Sequence, residues 1–343
     1  MKAIVAHGPL DLRVDDWAAP DLAPDEVHVE IVYAGICGSD LHYHQHGRNG
    51  TYEIREPLIL GHEVVGRIAA VGAHAGVDLP VGTPVAVHPA TPTPAPGQTE
   101  GNGLNLTVGG TYLGSASTWP HTQGGMAETL PVTGDQLRPL PADLPLRRAA
   151  LAEPLSIALH GVDRAKGLVE GARVLVCGSG PIGLLAVAAL KRRGAAHVTA
   201  TDLHARPLQI ARAIGADATV QLGVDPAPEP ESFDITVEAA GVLPSTVAAI
   251  GAARRGGTVI QLGILPKGDL GAPLSTIVSN ELSYLGCQRF DIEMDEAIEI
   301  LAESPELDAV VTDVFAADSA AEAFAKAADS AVSTKVLVAF QPE

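Results

Sequence analysis

The chain has 343 residues, too many for one typical core, and 46% of them are hydrophobic while only 3% are aromatic. With 36 glycines and 26 prolines this is the make-up of an ordered, loop-rich α/β protein, not of a disordered one. Lys+Arg total 22 against 41 Asp+Glu, and the net charge of −19 repels nucleic-acid phosphates and anionic lipid surfaces, which removes both as partners. The opening "MKAIVAHGPLDLRVDDW" lacks a charged-then-apolar leader and no run of about 18 apolar residues follows, so the expectation is a cytoplasmic protein without a membrane partner. Cys37, Cys177 and Cys287 are odd in number and widely spaced, which speaks against a disulfide framework.

In chain order, short apolar runs such as "KAIVAH", "EVHVEIVYAG", "EVVGRIAAVG" and "TPVAVHP", punctuated by Gly and Pro, predict a β-rich, barrel-like domain up to about residue 150. Residues 88–110 lack apolar periodicity and read as a long surface loop. "PLRRAALAEPLSIALHGVDRA" has helical spacing, and Pro154 should kink or restart the helix. The rhythm then changes to strand, helix, strand through "RVLVCG", "PIGLLAVAALKRRG", "HVTATD" and "ARPLQIARAIGAD", which predicts a doubly wound parallel sheet. The tail mixes two amphipathic helices with two strands and is expected to return to the first domain. The expected division is 1–152 with 288–343, and 153–287.

"VLVCGSGPIG" sets Gly178, Gly180 and Gly183 in G-x-G-x-x-G spacing after a strand and at a helix start, where backbone amides face a pyrophosphate. Asp202 ends the next strand 19 residues beyond Gly183, placed to accept hydrogen bonds from ribose hydroxyls. A carboxylate there repels a 2′-phosphate and favours NAD over NADP, a preference that Arg206 weakens slightly. Cys177 lies inside an apolar strand and reads as a small core residue.

"GICGSDLHYHQHGRNG" sets Cys37 beside histidines at every second position, His42, His44 and His46, and "LGHEVVG" adds His62 and Glu63, with Glu153 following in "LAEPLS". Thiolate, imidazole and carboxylate form a mixed donor set suited to a catalytic zinc with one open position. These stretches, with "GHEVVGRIAAVGAHA" and "GSGPIG…TDL", resemble the zinc-dependent medium-chain alcohol and polyol dehydrogenases over nearly the whole chain. "GSDLHYHQHGRNG", "REPLILGHE" and "LGSASTWPHTQGG" are most similar to the L-idonate 5-dehydrogenase group, with the sorbitol dehydrogenases close by.

The resemblance implies a GroES-like catalytic domain, a Rossmann domain and an active site in the cleft between them. It implies Cys37 and His62 as zinc ligands and Glu63 or Glu153 as the third, the other holding water or substrate. Ser39 would accept the substrate proton and His42 finish the relay. Tyr43 and Arg289 match substrate-pocket positions, with Arg289 the group to face a sugar-acid carboxylate, while Phe290 stands in the pocket where the sorbitol dehydrogenases have a tyrosine and would lose its hydroxyl contact. Ile182, Leu262, Gly263, Ile264 and Arg289 join the cofactor-binding positions.

Many relatives carry a second, structural zinc on four cysteines in the loop after the GHE strand. Residues 88–110 contain no cysteine, so one zinc per chain is expected. The implied reaction is oxidation of a polyol or sugar acid, L-idonate to 5-keto-D-gluconate foremost, by a homodimer or homotetramer. A sorbitol-, butanediol- or general secondary-alcohol dehydrogenase is the alternative, and a non-catalytic dinucleotide-binding relative the remote one. Arg48 and Arg55 add positive charge nearby, and His44 and His46 receive no role.

Overall fold

The computed structural model describes residues 1–91, 103–107, 109–266, 268 and 271–343. They form two units: Met1–Glu153 with Met294–Asp329 and Lys335–Glu343, and Pro154–Glu293 with Ser330–Thr334.

The first unit is built on a seven-stranded sheet. Its path runs Leu137–Pro139, Pro84–Val87, Glu63–Val71, Glu26–Gly35, Lys335–Ala339, Val311–Ala316, and Thr129–Thr133 also pairs with Glu26–Gly35. A three-stranded sheet of Asp11–Asp16, Lys2–Gly8 and Leu58–Ile59 joins the same core. The long central strand "EVHVEIVYAG" alternates, so Val27, Val29 and Ile31 share one face and are wholly buried there. The tail thus contributes two strands to this sheet.

Register decides what meets at the strand ends: Gly35 pairs with Glu63 on one side and with Leu337 on the other, which brings Glu63 and the strand that begins at Lys335 to one end of the sheet. The loop read over 88–110 is pinned by pairing of Ala90–Thr91 with Thr111–Tyr112, and its residues 92–102 and 108 lie outside the described residues. Pro154 restarts the helix: Leu146–Ala149 ends and Ala152–Asp163 begins with the proline in its first turn.

The second unit carries six parallel strands in the order Ala218–Gln221, His197–Asp202, Arg173–Cys177, Phe233–Glu238, Ala253–Gln261, Ser283–Gly286. "RVLVC" is apolar without alternation, as a strand covered on both faces requires, and Val174 to Cys177 are all buried. Helices Pro181–Arg192, Ala205–Ala213 and Leu243–Ala252 connect successive strands. This is a doubly wound α/β sheet, with the fingerprint loop and Asp202 at the carboxyl ends of adjacent strands. Among the described residues, no helix is long and apolar enough to cross a membrane.

Candidate functional site

Where the central strand of the first unit ends at Gly35, the chain turns and Cys37 caps the helix Gly38–His46. Asp40, in its first turn and fully buried, accepts the backbone N–H of Cys37 at 2.9 Å and of Gly61 at 3.1 Å. One carboxylate therefore clamps the loop bearing Cys37 to the loop bearing His62. Sγ of Cys37, a ring nitrogen of His62 and a carboxylate oxygen of Glu63 all lie within 4.8 Å of one another, the one such grouping among the described residues.

Lys335 grips Glu63 from behind. Its Nζ donates to Oε1 at 2.7 Å, to Oε2 at 2.5 Å and to the carbonyl of Ile36 at 3.1 Å, and both side chains are buried. Gly35 makes room for that carboxylate, because a Cβ there would stand 2.1 Å from Glu63 Oε2. Glu153, at the start of the helix Ala152–Asp163, accepts the Tyr112 hydroxyl on Oε1 at 2.7 Å. Its Oε2 is buried with no hydrogen-bond partner among the described residues. The Tyr112 ring lies beside the His62 ring, centroids 5.6 Å apart.

The electrostatics of this cluster are unbalanced. Burial pushes the Glu153 carboxyl up, with Glu63 adding to it and His62 opposing. Burial alone would lower His62, but the charge and hydrogen bond of Cys37, with Asp40 and Glu153, carry it up to about 10. Lys335 behaves likewise: burial lowers it, and Glu63 and Cys37 outweigh that and raise it. Asp40 is raised by burial against its two amide donors. Cys37, Asp40, Glu63 and Glu153 crowd acidic groups around His62 and Lys335, whose raised pKa values record a local shortage of positive charge that a divalent cation would relieve. Converging S, N and O donors with an orphaned buried carboxylate oxygen fit zinc.

The helix geometry rearranges the histidine run. Alternation in sequence becomes a helical turn, so His42 and His46 share a face with ring centroids 5.8 Å apart, while His44 sets its edge on Phe324 at 5.7 Å. Ser39 is half-buried and His42 exposed. Tyr43 is 2% exposed and its hydroxyl accepts the backbone N–H of Ala116 at 3.0 Å, so it braces the segment after Tyr112. Arg48 and Arg55 are exposed, and Arg48 stands 4.0 Å from Glu53.

In the second unit the three fingerprint glycines meet three different demands. Gly178 has φ of +94°, a Cβ on Gly183 would lie 1.9 Å from the Gly178 carbonyl oxygen, and a Cβ on Gly180 would meet nothing within 4 Å. The last is open space at the N-terminus of the helix Pro181–Arg192, a cradle for a phosphate. Asp202 accepts the N–H of Ser179 and of His204, each at 2.9 Å, which aims its carboxylate from both sides.

Ile182 is half-buried in the helix's first turn, and Arg206 is exposed. Leu262, Gly263 and Ile264 follow the strand Ala253–Gln261, with Ile264 82% exposed. Arg289 adopts φ of +51° and Phe290 is buried. Burial pushes the Cys177 thiol up to about 12 and the Cys287 thiol up to about 11, so neither offers a thiolate.

Sequence reasoning missed Asp40, Tyr112 and Lys335. Asp40 had a signal, a carboxylate three residues after a candidate ligand. Lys335, a single lysine at the start of the apolar strand "KVLVA", had none.

Residues 23–142 match the family model of the alcohol dehydrogenase GroES-like domain, and residues 181–303 that of the zinc-binding dehydrogenases. The chain is 33% identical to the sorbitol dehydrogenase of Bos taurus, covering 99% of this chain and 96% of that one. Its structure is similar to that of L-idonate 5-dehydrogenase from Escherichia coli, with a TM-score of 0.91 and 31% identity, over 99% and 98% of the two chains. A zinc-binding dehydrogenase of Sinorhizobium meliloti solved with NADP gives a TM-score of 0.89 at 28% identity, over 99% of each.

Proposed function

Because the chain belongs to the zinc-dependent medium-chain dehydrogenase family, among its sorbitol-dehydrogenase-like members, we propose that it oxidises a secondary hydroxyl of a polyol or sugar acid with NAD as hydride acceptor. Cys37, His62 and Glu63 would hold the zinc, and Glu153 would hold a water or the substrate. The observation that carries this assignment is the division of labour between the two glutamates. Glu63 stands in the converging trio with Lys335 behind it, whereas Glu153 keeps one buried oxygen unpartnered.

When bound, zinc supplies Lewis acidity that lowers the pKa of an alcohol hydroxyl toward neutrality. Glu153 Oε2 accepts a hydrogen bond from the substrate or a water and orients it. Ser39 receives the hydroxyl proton, and the exposed imidazole of His42 hands it to solvent. The amides at Gly180 and the following helix hold the pyrophosphate, and Asp202 the ribose hydroxyls. NAD held there would supply the acceptor for the hydride of the carbinol carbon.

For the substrate, L-idonate leads, with Arg289 facing its carboxylate. The likeness to L-idonate 5-dehydrogenase supports this reading. The identity to sorbitol dehydrogenases supports a neutral polyol as the second. NAD reduction measured with L-idonate against sorbitol and other neutral polyols separates the two: a higher kcat/KM for the acid is expected, and equal values sink the idonate assignment. Metal analysis should find about one zinc per chain, since residues 88–110 lack cysteine. Among the described residues the strand Ser283–Gly286 pairs on one side only, and Leu274, Val278 and Tyr284 are exposed beside or within it, which supports pairing with a second copy. Sedimentation should report a dimer or a tetramer, and a monomer at micromolar concentration refutes that pairing.

A further inference from the structure

Glu238 ends the strand Phe233–Glu238 and is wholly buried, yet its carboxylate faces no lysine or arginine among its hydrogen-bond partners. It is satisfied by N–H groups instead. Oε1 accepts from Ala240 at 2.9 Å and Gly241 at 3.0 Å, Oε2 accepts from Gly241 at 3.2 Å, and the Gln261 amide donates to Oε2 as well. The Gln261 amide also donates to the Gly263 carbonyl at 2.7 Å, and its own oxygen accepts the Tyr284 hydroxyl at 2.6 Å. Backbone bonds follow the same lines, with the N–H groups of Leu262 and Gly263 both reaching the Glu238 carbonyl.

Three loops are drawn together by this network. A Cβ on Gly263 would stand 2.4 Å from Glu238 Oε2 and 2.3 Å from the Gly241 nitrogen, so loops 239–241 and 262–264 close around the carboxylate with no room to spare. The first of them also touches the fingerprint, where a Cβ on Gly178 would lie 2.9 Å from that of Ala240. All three loops leave the carboxyl ends of neighbouring parallel strands, the edge of a doubly wound sheet over which a dinucleotide lies.

Stability alone does not call for an ion here, because a buried carboxylate is expensive to desolvate and an apolar residue of similar volume serves a core as well. What the carboxylate adds is direction, since several donors converging on two oxygens fix the loop backbones in one arrangement. We infer that Glu238 is a positioning residue for the cofactor, holding loops 239–241 and 262–264 in place for the nicotinamide half of NAD, with Gln261 and Tyr284 extending the network to the edge strand. The inference rests on the reading of the second unit as a nicotinamide dinucleotide site.

The test is calorimetric titration of NADH into the full-length, zinc-loaded protein, with steady-state kinetics on the same samples. Glu238→Gln turns one accepting oxygen into a donor that meets N–H groups. It should weaken NADH binding and raise the KM for NAD about tenfold, the loss of one charge-assisted hydrogen bond, with the KM for the alcohol within about twofold. Tyr284→Phe, an exposed-edge change that spares the fold, should weaken NADH about threefold. A Glu238→Gln protein with a lowered melting temperature but unchanged NADH affinity overturns the inference in favour of a purely structural carboxylate. If that variant does not fold, Tyr284→Phe decides, and unchanged NADH affinity there overturns it too. A wild-type chain that binds no NADH overturns the nucleotide reading itself, and the inference with it.

Discussion

Both candidate sites are organised by hydrogen-bonded carboxylates, but the two units satisfy them in different ways. In the nucleotide unit, Glu238 and Asp202 are satisfied by N–H dipoles from neighbouring loops and are complete as folded. In the metal unit, Glu63 takes the one available ammonium, Glu153 keeps an oxygen without a partner, and His62 is driven toward its protonated form by the anions around it. Backbone dipoles shape a surface for a ligand that arrives and leaves, whereas a charge deficit is a demand for a resident cation.

Breaking the deficit at its source should have the largest effect. Cys37→Ser, or exhaustive chelation of the wild type, should lower NAD-coupled alcohol oxidation by about a thousandfold or more, because the hydroxyl loses its Lewis acid. Zinc content should fall in parallel, and retained activity at zero zinc refutes the metal reading. Lys335→Met comes next: it strands the Glu63 carboxylate in a buried site, and breaking such a pair costs about 3–5 kcal/mol. Chemical denaturation of the zinc-loaded variant measures it, and a loss below about 1 kcal/mol would mean that the zinc alone carries Glu63.

The same comparison has a pH signature. In the metal-free protein, folding raises His62 from 6.5 to about 10, so the folded state binds a proton that the unfolded state has released. That stabilisation is fully present below 6.5 and is lost as pH rises toward 10. Glu153, also raised, acts in the same direction from 4.5 upward, since its ionised form is the one the fold disfavours. Melting curves of chelator-treated protein should therefore fall as pH increases across this range, while zinc, competing for the same lone pairs, flattens the profile. Parallel pH profiles with and without zinc would contradict the charge argument.

The two sites were not equally legible in the sequence. The nucleotide site is local: Gly178, Gly180 and Gly183 sit within six residues, and their spacing alone encodes turn, open cradle and close packing. The candidate metal site is assembled by folding, from the loop at Cys37, the pair His62 and Glu63, and Glu153 far along the chain, so these residues were identified through resemblance and not through spacing. Lys335 was illegible because its role depends on strand register, which sets Gly35 against both Glu63 and Leu337. The histidine run misled for the opposite reason. Its period of two suggests one cluster, but nine helical residues turn it into a pair on one face and a third ring against Phe324. Glu238 sat in an ordinary buried strand, and nothing local announces that its partners would be backbone N–H groups of the loops beyond.

Asp202 offers the smallest and sharpest test of the contrast. Its carboxylate is aimed by two backbone amides, from Ser179 in the fingerprint and from His204 in the next turn, so its position does not depend on a counter-ion. Asp202→Asn keeps the size but makes one of the two acceptors a donor and removes the charge that repels a 2′-phosphate. The KM for NAD should rise about tenfold, and NADP, with exposed Arg206 available to pair with its phosphate, should gain on NAD by a comparable factor. Zinc content and the KM for the alcohol should not move, because the change lies wholly in the unit whose charges are already balanced. An unaltered NAD-to-NADP ratio would place the ribose contact on another residue and leave Asp202 with only the loop to hold.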